Sequence, residues 1–430
     1  MVPGPTAVGP HVLAAYAADY GSADLEDEFF ALYARVQNTL RRILSTANQV
    51  SIMSGEGMLA LWAALRSCLQ PGDRVLAISS GPFGEGIADM ASSLGAEVEL
   101  VEFPFERTAD PDTVGDSIAR VRPKMVTLVH CETPCGTLNP VAQIGGLVRR
   151  YEVPLFFVDA VASAGGAELR TDDWRVDLCA LASQKCLSAP PGLAILSVSQ
   201  AAWRIVEDVK YEGYDALLPW RDALQERYFP YTHNWHGLAA LDIAADHVLG
   251  EGVENVLARH TRVAEVRRRG IRRLSLELYP ADEAFASPTV TAVRLPPGVD
   301  WPAFNRDLRR HGVVVGGNYG ALAGKVFRIG HMGAQADEAL VDRTLEALAA
   351  CTSAAGEGTY SAAGAAVGRK RASVRLASSN SCPARLRPPY SPWGGAVAVR
   401  MSDMVVDFES PRKNGQSPAD FVLRIGQVDE

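Results

Sequence analysis

The 430-residue sequence lacks any apolar run long enough to cross a bilayer. Its longest, such as Met125–Val129 and Pro154–Val158, fall far short of the ~20 residues that a spanning helix needs. The N-terminus also lacks the basic-then-apolar order of a secretory signal, so a cytoplasmic protein with no membrane partner is the expectation. Cysteine is sparse. The seven residues, at 68, 131, 135, 179, 186, 351 and 382, are odd in number and include no CxxC pair, which leaves neither a disulfide framework nor a zinc knuckle and predicts no metal. Excess positive charge is absent too: 42 Lys and Arg against 50 Asp and Glu leave a net charge of −8, which argues against nucleic acid or an anionic membrane as the main partner. No repeat at solenoid period stands out.

What is present is the composition of a water-soluble globular chain, 47% apolar and 21% charged, about three times the usual domain length. From Asn48 to Ser199, short apolar runs alternate with amphipathic segments. Arg74–Ile78, Glu97–Val101, Met125–Val129, Pro154–Asp159, Leu178–Leu181 and Leu193–Val198 read as buried strands, with helical patterns such as Met58–Leu69 and Val141–Tyr151 between them. That alternation predicts an α/β fold with a mainly parallel central sheet flanked by helices. Helical patterns over Leu238–His247 and Val253–Arg269, strand candidates Thr289–Arg294, Gly312–Gly316 and Val326–Ile329, and a closing helix Glu338–Ala349 predict a smaller α+β domain. The expected organisation is an N-terminal segment (1–20), a large domain (21–245), a small domain (246–351) and a low-complexity tail (352–430). The tail is rich in Ala, Gly, Ser and Pro and is expected to be disordered.

Three local patterns carry chemistry. Ser54-Gly55-Glu56-Gly57 feeds directly into Met58–Leu65, and a glycine turn entering a helix presents free N–H groups and a positive dipole end to an anion, although a tight helix entry reads equally well. An apolar strand ends in Asp159 and is followed by Val161, Ser163 and Gly165-Gly166; an acid at the C-terminal end of a parallel strand stands at the ligand crevice. Finally, Ser183-Gln184-Lys185-Cys186 lies between two strand candidates and runs into Ala189-Pro190-Pro191-Gly192. In so apolar a connection desolvation lowers a lysine's pKa and favours the neutral, nucleophilic amine.

An acid at a strand end, a lysine in an apolar turn and a phosphate-type helix entry are the equipment of a pyridoxal enzyme. At these residues the chain resembles the fold-type-I, class V aminotransferases of the alanine–glyoxylate group. The resemblance rests on PGPT at 3–6, the helix entry, ETPCGTLNP at 132–140, VDAVASAGG at 158–166, SQKCLSAPPG at 183–192 and RIGHMG at 328–333. It covers about four fifths of the chain, from Pro3 to Cys351, and implies a transaminase that moves an amino group to a small 2-oxo acid such as pyruvate or glyoxylate. It further implies pyridoxal 5′-phosphate as cofactor and a homodimer with its active site completed by the partner subunit. By the same resemblance Lys185 would form the Schiff base and carry the proton between substrate and cofactor, and Asp159 would pair with the pyridine nitrogen. Val161 and Phe83 would pack on the two ring faces, Thr133 would reach the ring hydroxyl, and Arg328 would clamp the substrate carboxylate beside the backbone of Gly4. Glu56, Gly57 and Met58 at the helix entry, with Gln184 and Thr232, would line the cofactor's phosphate end.

The departures from that pattern point to a branch of the family. Glu56 stands where the alanine–glyoxylate enzymes carry a small hydroxyl residue, and Phe229 stands where they carry a tyrosine donated across the dimer to the cofactor phosphate. A carboxylate repels a phosphate dianion but accepts a hydrogen bond from a hydroxymethyl group. This is similar to the pyridoxamine–pyruvate branch, in which unphosphorylated pyridoxamine is a substrate; KCLSAPPGL, ASPTVTAVR at 286–294 and FPYT at 229–232 lean the same way. Asn318, where that branch has an arginine, departs from it. A conventional phosphate-bound alanine or serine–glyoxylate enzyme remains the alternative. A lyase or desulfurase is the other, but it needs a nucleophilic cysteine on an open loop, and Cys131, Cys135 and Cys186 sit in apolar motifs.

Overall fold

The computed structural model describes residues 1–356, with side chains to residue 352. The strands in chain order are β1 (Gln49–Gly55), β2 (Arg74–Ser79), β3 (Glu97–Glu102), β4 (Met125–Val129), β5 (Cys131–Glu132), β6 (Thr137–Leu138), β7 (Leu155–Asp159), β8 (Leu178–Ala182), β9 (Gly192–Val198), β10 (Val290–Arg294) and β11 (Val326–Gly330). Seven of them form the central sheet in the order β1-β9-β8-β7-β4-β2-β3. Every pairing from β3 across to β8 is parallel, whereas β9 runs antiparallel to both β8 and β1. The α/β architecture with a mainly parallel sheet is therefore the observed one.

Residues at β4, β7 and β8 are buried along their whole length, which is why these strands are unbroken apolar runs rather than alternating ones. The helices Gly57–Cys68, Pro82–Ser93, Pro111–Val121 and Val141–Arg150 cover the sheet, and their apolar stripes join its inner faces in one core. Because β4, β7 and β8 are parallel and in register at Val129↔Asp159 and Asp159↔Ala180, their C-terminal ends lie side by side. The reversal from β8 to β9 puts residues 183–191 at that same end of the sheet. Strand topology thus delivers both the strand-end acid and the lysine turn to one crevice.

A second core is built on the antiparallel pair β10–β11, closed by Phe304 and Leu308 of helix Trp301–Arg310 and by Leu348 of helix Glu338–Gly356. Gly312–Gly316 does not form the expected strand. It contributes one bridge, Gly316 to Arg328, because the turn at Gly312 and the two glycines at 316–317 leave room for only three apolar residues. The closing helix extends past Ala349 to Gly356, so residues 352–356 of the expected tail belong to it; the rest of the tail lies outside the described residues. Strand β1 and helix Asp27–Ile43 had no counterpart in the sequence reading. Gln49, Ser51 and Ser54 interrupt the apolar signal of β1, whose inner residues are nonetheless buried. No helix among the described residues is long and apolar enough to cross a membrane.

Candidate active site

Lys185 sits in a turn that is pinned from within. Ser183 Oγ donates to Pro190 O at 2.7 Å, Ala189 N donates to Ser183 O at 3.0 Å, and Ser188 N donates to Lys185 O at 2.9 Å. Two distant segments then pack on it. Thr6 donates its N–H to Gln184 O at 3.0 Å and its hydroxyl to Lys185 O at 3.0 Å, so the segment Pro3–Thr6 lies across the turn as a strap. Lys185 Nζ donates to Pro3 O at 2.8 Å. From the other core, Ala334 N donates to Ser188 Oγ at 2.8 Å, and a Cβ on Gly333 would run into Ser188 Oγ and the Cys186 carbonyl. Two of the sequence motifs, PGPT and RIGHMG, are therefore the two walls that close around SQKCLSAPPG.

Burial and the nearby Arg328 charge draw the Lys185 ammonium pKa downward, toward the neutral amine. Asp159 is 6% exposed at the end of β7, and burial pushes its carboxyl up to about 6, against the opposing pull of the Val161 N–H and the Lys185 charge. Its Oδ1 accepts from Val161 N at 2.9 Å, while among the described residues no hydrogen bond reaches Oδ2. Arg328, on β11, donates Nε to Gly317 O at 2.8 Å and Nη1 to Thr133 Oγ1 at 3.4 Å, and its guanidinium lies 5.1 Å from the Tyr319 ring centroid. Phe83 meets the edge of the same tyrosine at 6.1 Å. Lys185, Asp159, Arg328, Thr133 and Phe83 are thus joined to one crevice, with Gly4 against the lysine and Val161 against Gly57.

The helix entry differs from an open anion site. Glu56 is the N-cap of helix Gly57–Cys68, and its Oε1 accepts from Met58 N at 3.1 Å, so a carboxylate of the chain itself already lies on the free N–H groups. The neighbouring Gln184 keeps its Oε1 buried with no hydrogen-bond partner among the described residues. Two further residues make contacts away from this chain's own lysine turn. Thr232 is exposed and donates to Asp24 at 3.2 Å. Phe229 does not face the helix entry. It is buried in an aromatic cluster, 4.8 Å from Tyr33, 5.5 Å from Phe30 and 5.7 Å from Trp220, because a ring without a hydroxyl gains more from that apolar packing than from an edge of the crevice. Asn318 donates to Pro134 O at 2.8 Å and so braces the loop beside Thr133.

The sequence reading missed Glu132, Tyr319 and the backbone roles of Pro3 and Thr6. Glu132 was quoted within a motif and given no role, although an acid between apolar residues is itself a signal. The thiols of Cys131, Cys135 and Cys186 are buried; burial raises all three, Cys131 to about 11, which leaves no thiolate nucleophile at this site.

A lysine turned toward the neutral amine, an enclosed carboxylate with an unused oxygen, a partly buried aromatic and a desolvated arginine are the donor set that a pyridoxal group and a carboxylate substrate require, and the residues present fit them. The family comparison agrees: the class V aminotransferase model matches residues 7–328, and the chain belongs to that family. It is 37% identical over 338 residues to an uncharacterized aminotransferase of Methanocaldococcus jannaschii, covering 77% of this chain and 87% of that one. It is 36% identical over 339 residues to a pyridoxamine–pyruvate transaminase of Mesorhizobium japonicum, covering 77% and 86%. Among solved structures, an alanine–glyoxylate aminotransferase from Nostoc sp. superposes with a TM-score of 0.79 at 31% identity, covering 82% of this chain and 94% of that one. The protein is a transaminase of this class, whose fold is that of the pyridoxal-phosphate-dependent enzymes.

Proposed function

We propose that this transaminase takes an unphosphorylated vitamer, pyridoxamine, as amino donor and aminates pyruvate to alanine. One observation carries the reading: the N-terminus of helix Gly57–Cys68, where a cofactor phosphate would bind, holds the Glu56 carboxylate at 3.1 Å from Met58 N. A phosphate dianion brought to those N–H groups would displace a carboxylate or sit against it; a hydroxymethyl group can instead donate to it. The similarity to a pyridoxamine–pyruvate transaminase supports the same reading.

The pyridoxal ring supplies the electron sink that makes the carbon beside the amino nitrogen acidic. Lys185, with its amine drawn toward neutrality, takes the proton from that carbon and returns it to the other end of the system. Asp159, whose Oδ1 accepts from Val161 N, would hold the ring nitrogen protonated. Phe83 and Val161 would pack on the ring, Thr133 would meet its hydroxyl, and Arg328, already desolvated, would exchange water for the substrate carboxylate in a bidentate pair. Gly4 keeps the space beside the lysine free of a side chain.

Two domains around the two cores, meeting along helix Val253–Arg273, and a homodimer complete the proposal. Leu25, Tyr214 and Tyr228 are 77%, 68% and 62% exposed, apolar area that a second copy would cover, with Thr232 available to the partner's crevice. The six cysteines among the described residues are buried and unpaired, which suits a reducing compartment such as the cytoplasm.

The test is binding. Titrating cofactor-free protein with pyridoxal and with pyridoxal 5′-phosphate should give comparable or tighter affinity for the unphosphorylated form, and Glu56→Ser should tighten the phosphorylated one by about tenfold or more. A wild-type preference of several orders for the phosphorylated form would assign the site to the conventional alanine–glyoxylate type.

A further inference from the structure

Glu132 is the most completely enclosed acid near the crevice, with no exposed surface, and none of the roles above uses it. Its two carboxylate oxygens meet two backbone donors: Gly84 N at 2.7 Å and Phe83 N at 3.3 Å. These are free N–H groups of the first turn of helix Pro82–Ser93, whose own N-cap residue, Gly81, makes no side-chain cap. Glu132 therefore caps that helix from 48 residues away, two acceptors on two donors at the positive end of the dipole. The chain makes room for it, since a Cβ on Gly81 would lie 2.7 Å from the carboxylate. Its main chain holds the neighbouring turn as well: Glu132 O accepts from Cys135 N at 3.1 Å and Gly136 N at 2.8 Å, and that turn carries Thr133.

We propose that Glu132 is a positioning residue for the transamination site, one that sets the orientation of Phe83 against the pyridoxal ring. The proposal rests on the reading of Phe83 as a ring-stacking residue. A carboxyl group is a costly way to fill a buried space, because desolvation, helped by the nearby Asp159 charge, pushes it up to about 8 against the pull of the Gly84 and Phe83 N–H groups, whereas an apolar side chain would pack there at no such cost. Among the described residues no lysine or arginine pairs with it. What the carboxyl group provides, even with its proton kept at neutral pH, is two oxygens that both accept from consecutive N–H groups. A glutamine would turn a second donor toward one of them. Phe83 is one of the two residues so held, and its ring reaches Tyr319 and, beyond it, Arg328, so the tilt of this aromatic is linked to the carboxylate clamp.

The test is a double-variant cycle read on cofactor binding to cofactor-free protein, by protein fluorescence and by the visible circular dichroism of the bound ring. Glu132→Gln and Phe83→Ala should each weaken binding roughly tenfold and diminish the dichroic band. The double variant should bind no more weakly than Phe83→Ala alone. Gly81→Ala, which drives a methyl into the carboxylate, should reproduce the Glu132→Gln signature and provides the reading if the latter fails to fold. Effects that multiply in the double variant, or an unchanged dichroism when Glu132 or Gly81 is altered, overturn the positioning role and leave the stacking role of Phe83 standing. No effect of Phe83→Ala itself removes both.

Discussion

A Cβ placed on Gly4 would lie 2.6 Å from Cδ and 2.7 Å from Nζ of Lys185, and Gly4 holds a φ of +99°. The N-terminal strap is therefore shaped around the reactive amine by the absence of one methyl group. Gly4→Ala should lower both cofactor loading and kcat by at least about tenfold, with a loss of stability of only ~1–3 kcal/mol from backbone strain. Turnover and denaturant unfolding measured on the same preparation check this; a variant with full activity would show that the strap stands off the lysine in solution.

Lys185→Ala should abolish the visible absorbance of the cofactor-loaded protein and reduce transamination by roughly a thousandfold or more, since the proposed Schiff base and proton transfer both run through its amine. Absorbance spectra and single-turnover assays are the measurements. Retained absorbance with retained turnover would move the reactive group elsewhere.

Arg328→Ala should raise the KM for the carboxylate substrate about 10- to 100-fold, the worth of a desolvated bidentate pair, and leave the cofactor spectrum unaltered. Loss of the spectrum together with the KM change would instead tie Arg328 to the cofactor, through its bond to Thr133.

Asp159 has a pH signature. Its carboxyl is raised to about 6 in the folded protein, so the fold binds this proton more tightly than the unfolded chain does. The stability it contributes is full below the unfolded value and is lost as pH rises through about 6, a change on the order of 3 kcal/mol. Cofactor-free Asp159→Asn should therefore exceed the wild type in stability at pH 7.5 and lose most of that advantage at pH 4.5, while its transamination collapses. Chemical unfolding at the two pH values decides; an advantage that does not vary with pH would mean that Asp159 is not the group titrating.

The parts of this fold that could be read in the sequence are those where burial is uniform. β4, β7 and β8 are unbroken apolar runs and were legible, as were Asp159 and Lys185, because each interrupts such a run at its end. β1 was not, since Gln49, Ser51 and Ser54 interrupt its apolar pattern and its strand character comes from pairing with β9, far along the chain. Gly312–Gly316 read as a strand from composition alone, yet a strand there needs a partner and only Arg328 is within reach. In the site, residue types were legible and their partners were not. Thr6, Ala334 and Glu132 act through groups 178, 146 and 48 positions away, and separations of that size leave no periodicity to detect. Phe229, at the position where the resemblance puts a tyrosine donated across a dimer, packs against Phe29, Phe30 and Tyr33 in its own chain.

Use of the unphosphorylated vitamer as a substrate shows when cofactor-free protein is mixed with unphosphorylated pyridoxamine and pyruvate and pyridoxal and alanine are followed over many turnovers. Glu56 at the helix entry predicts equimolar formation of both products, at a rate that added pyridoxal 5′-phosphate does not increase. A protein that makes neither product from free pyridoxamine, yet transaminates with one tightly bound phosphorylated cofactor per chain, would contradict it.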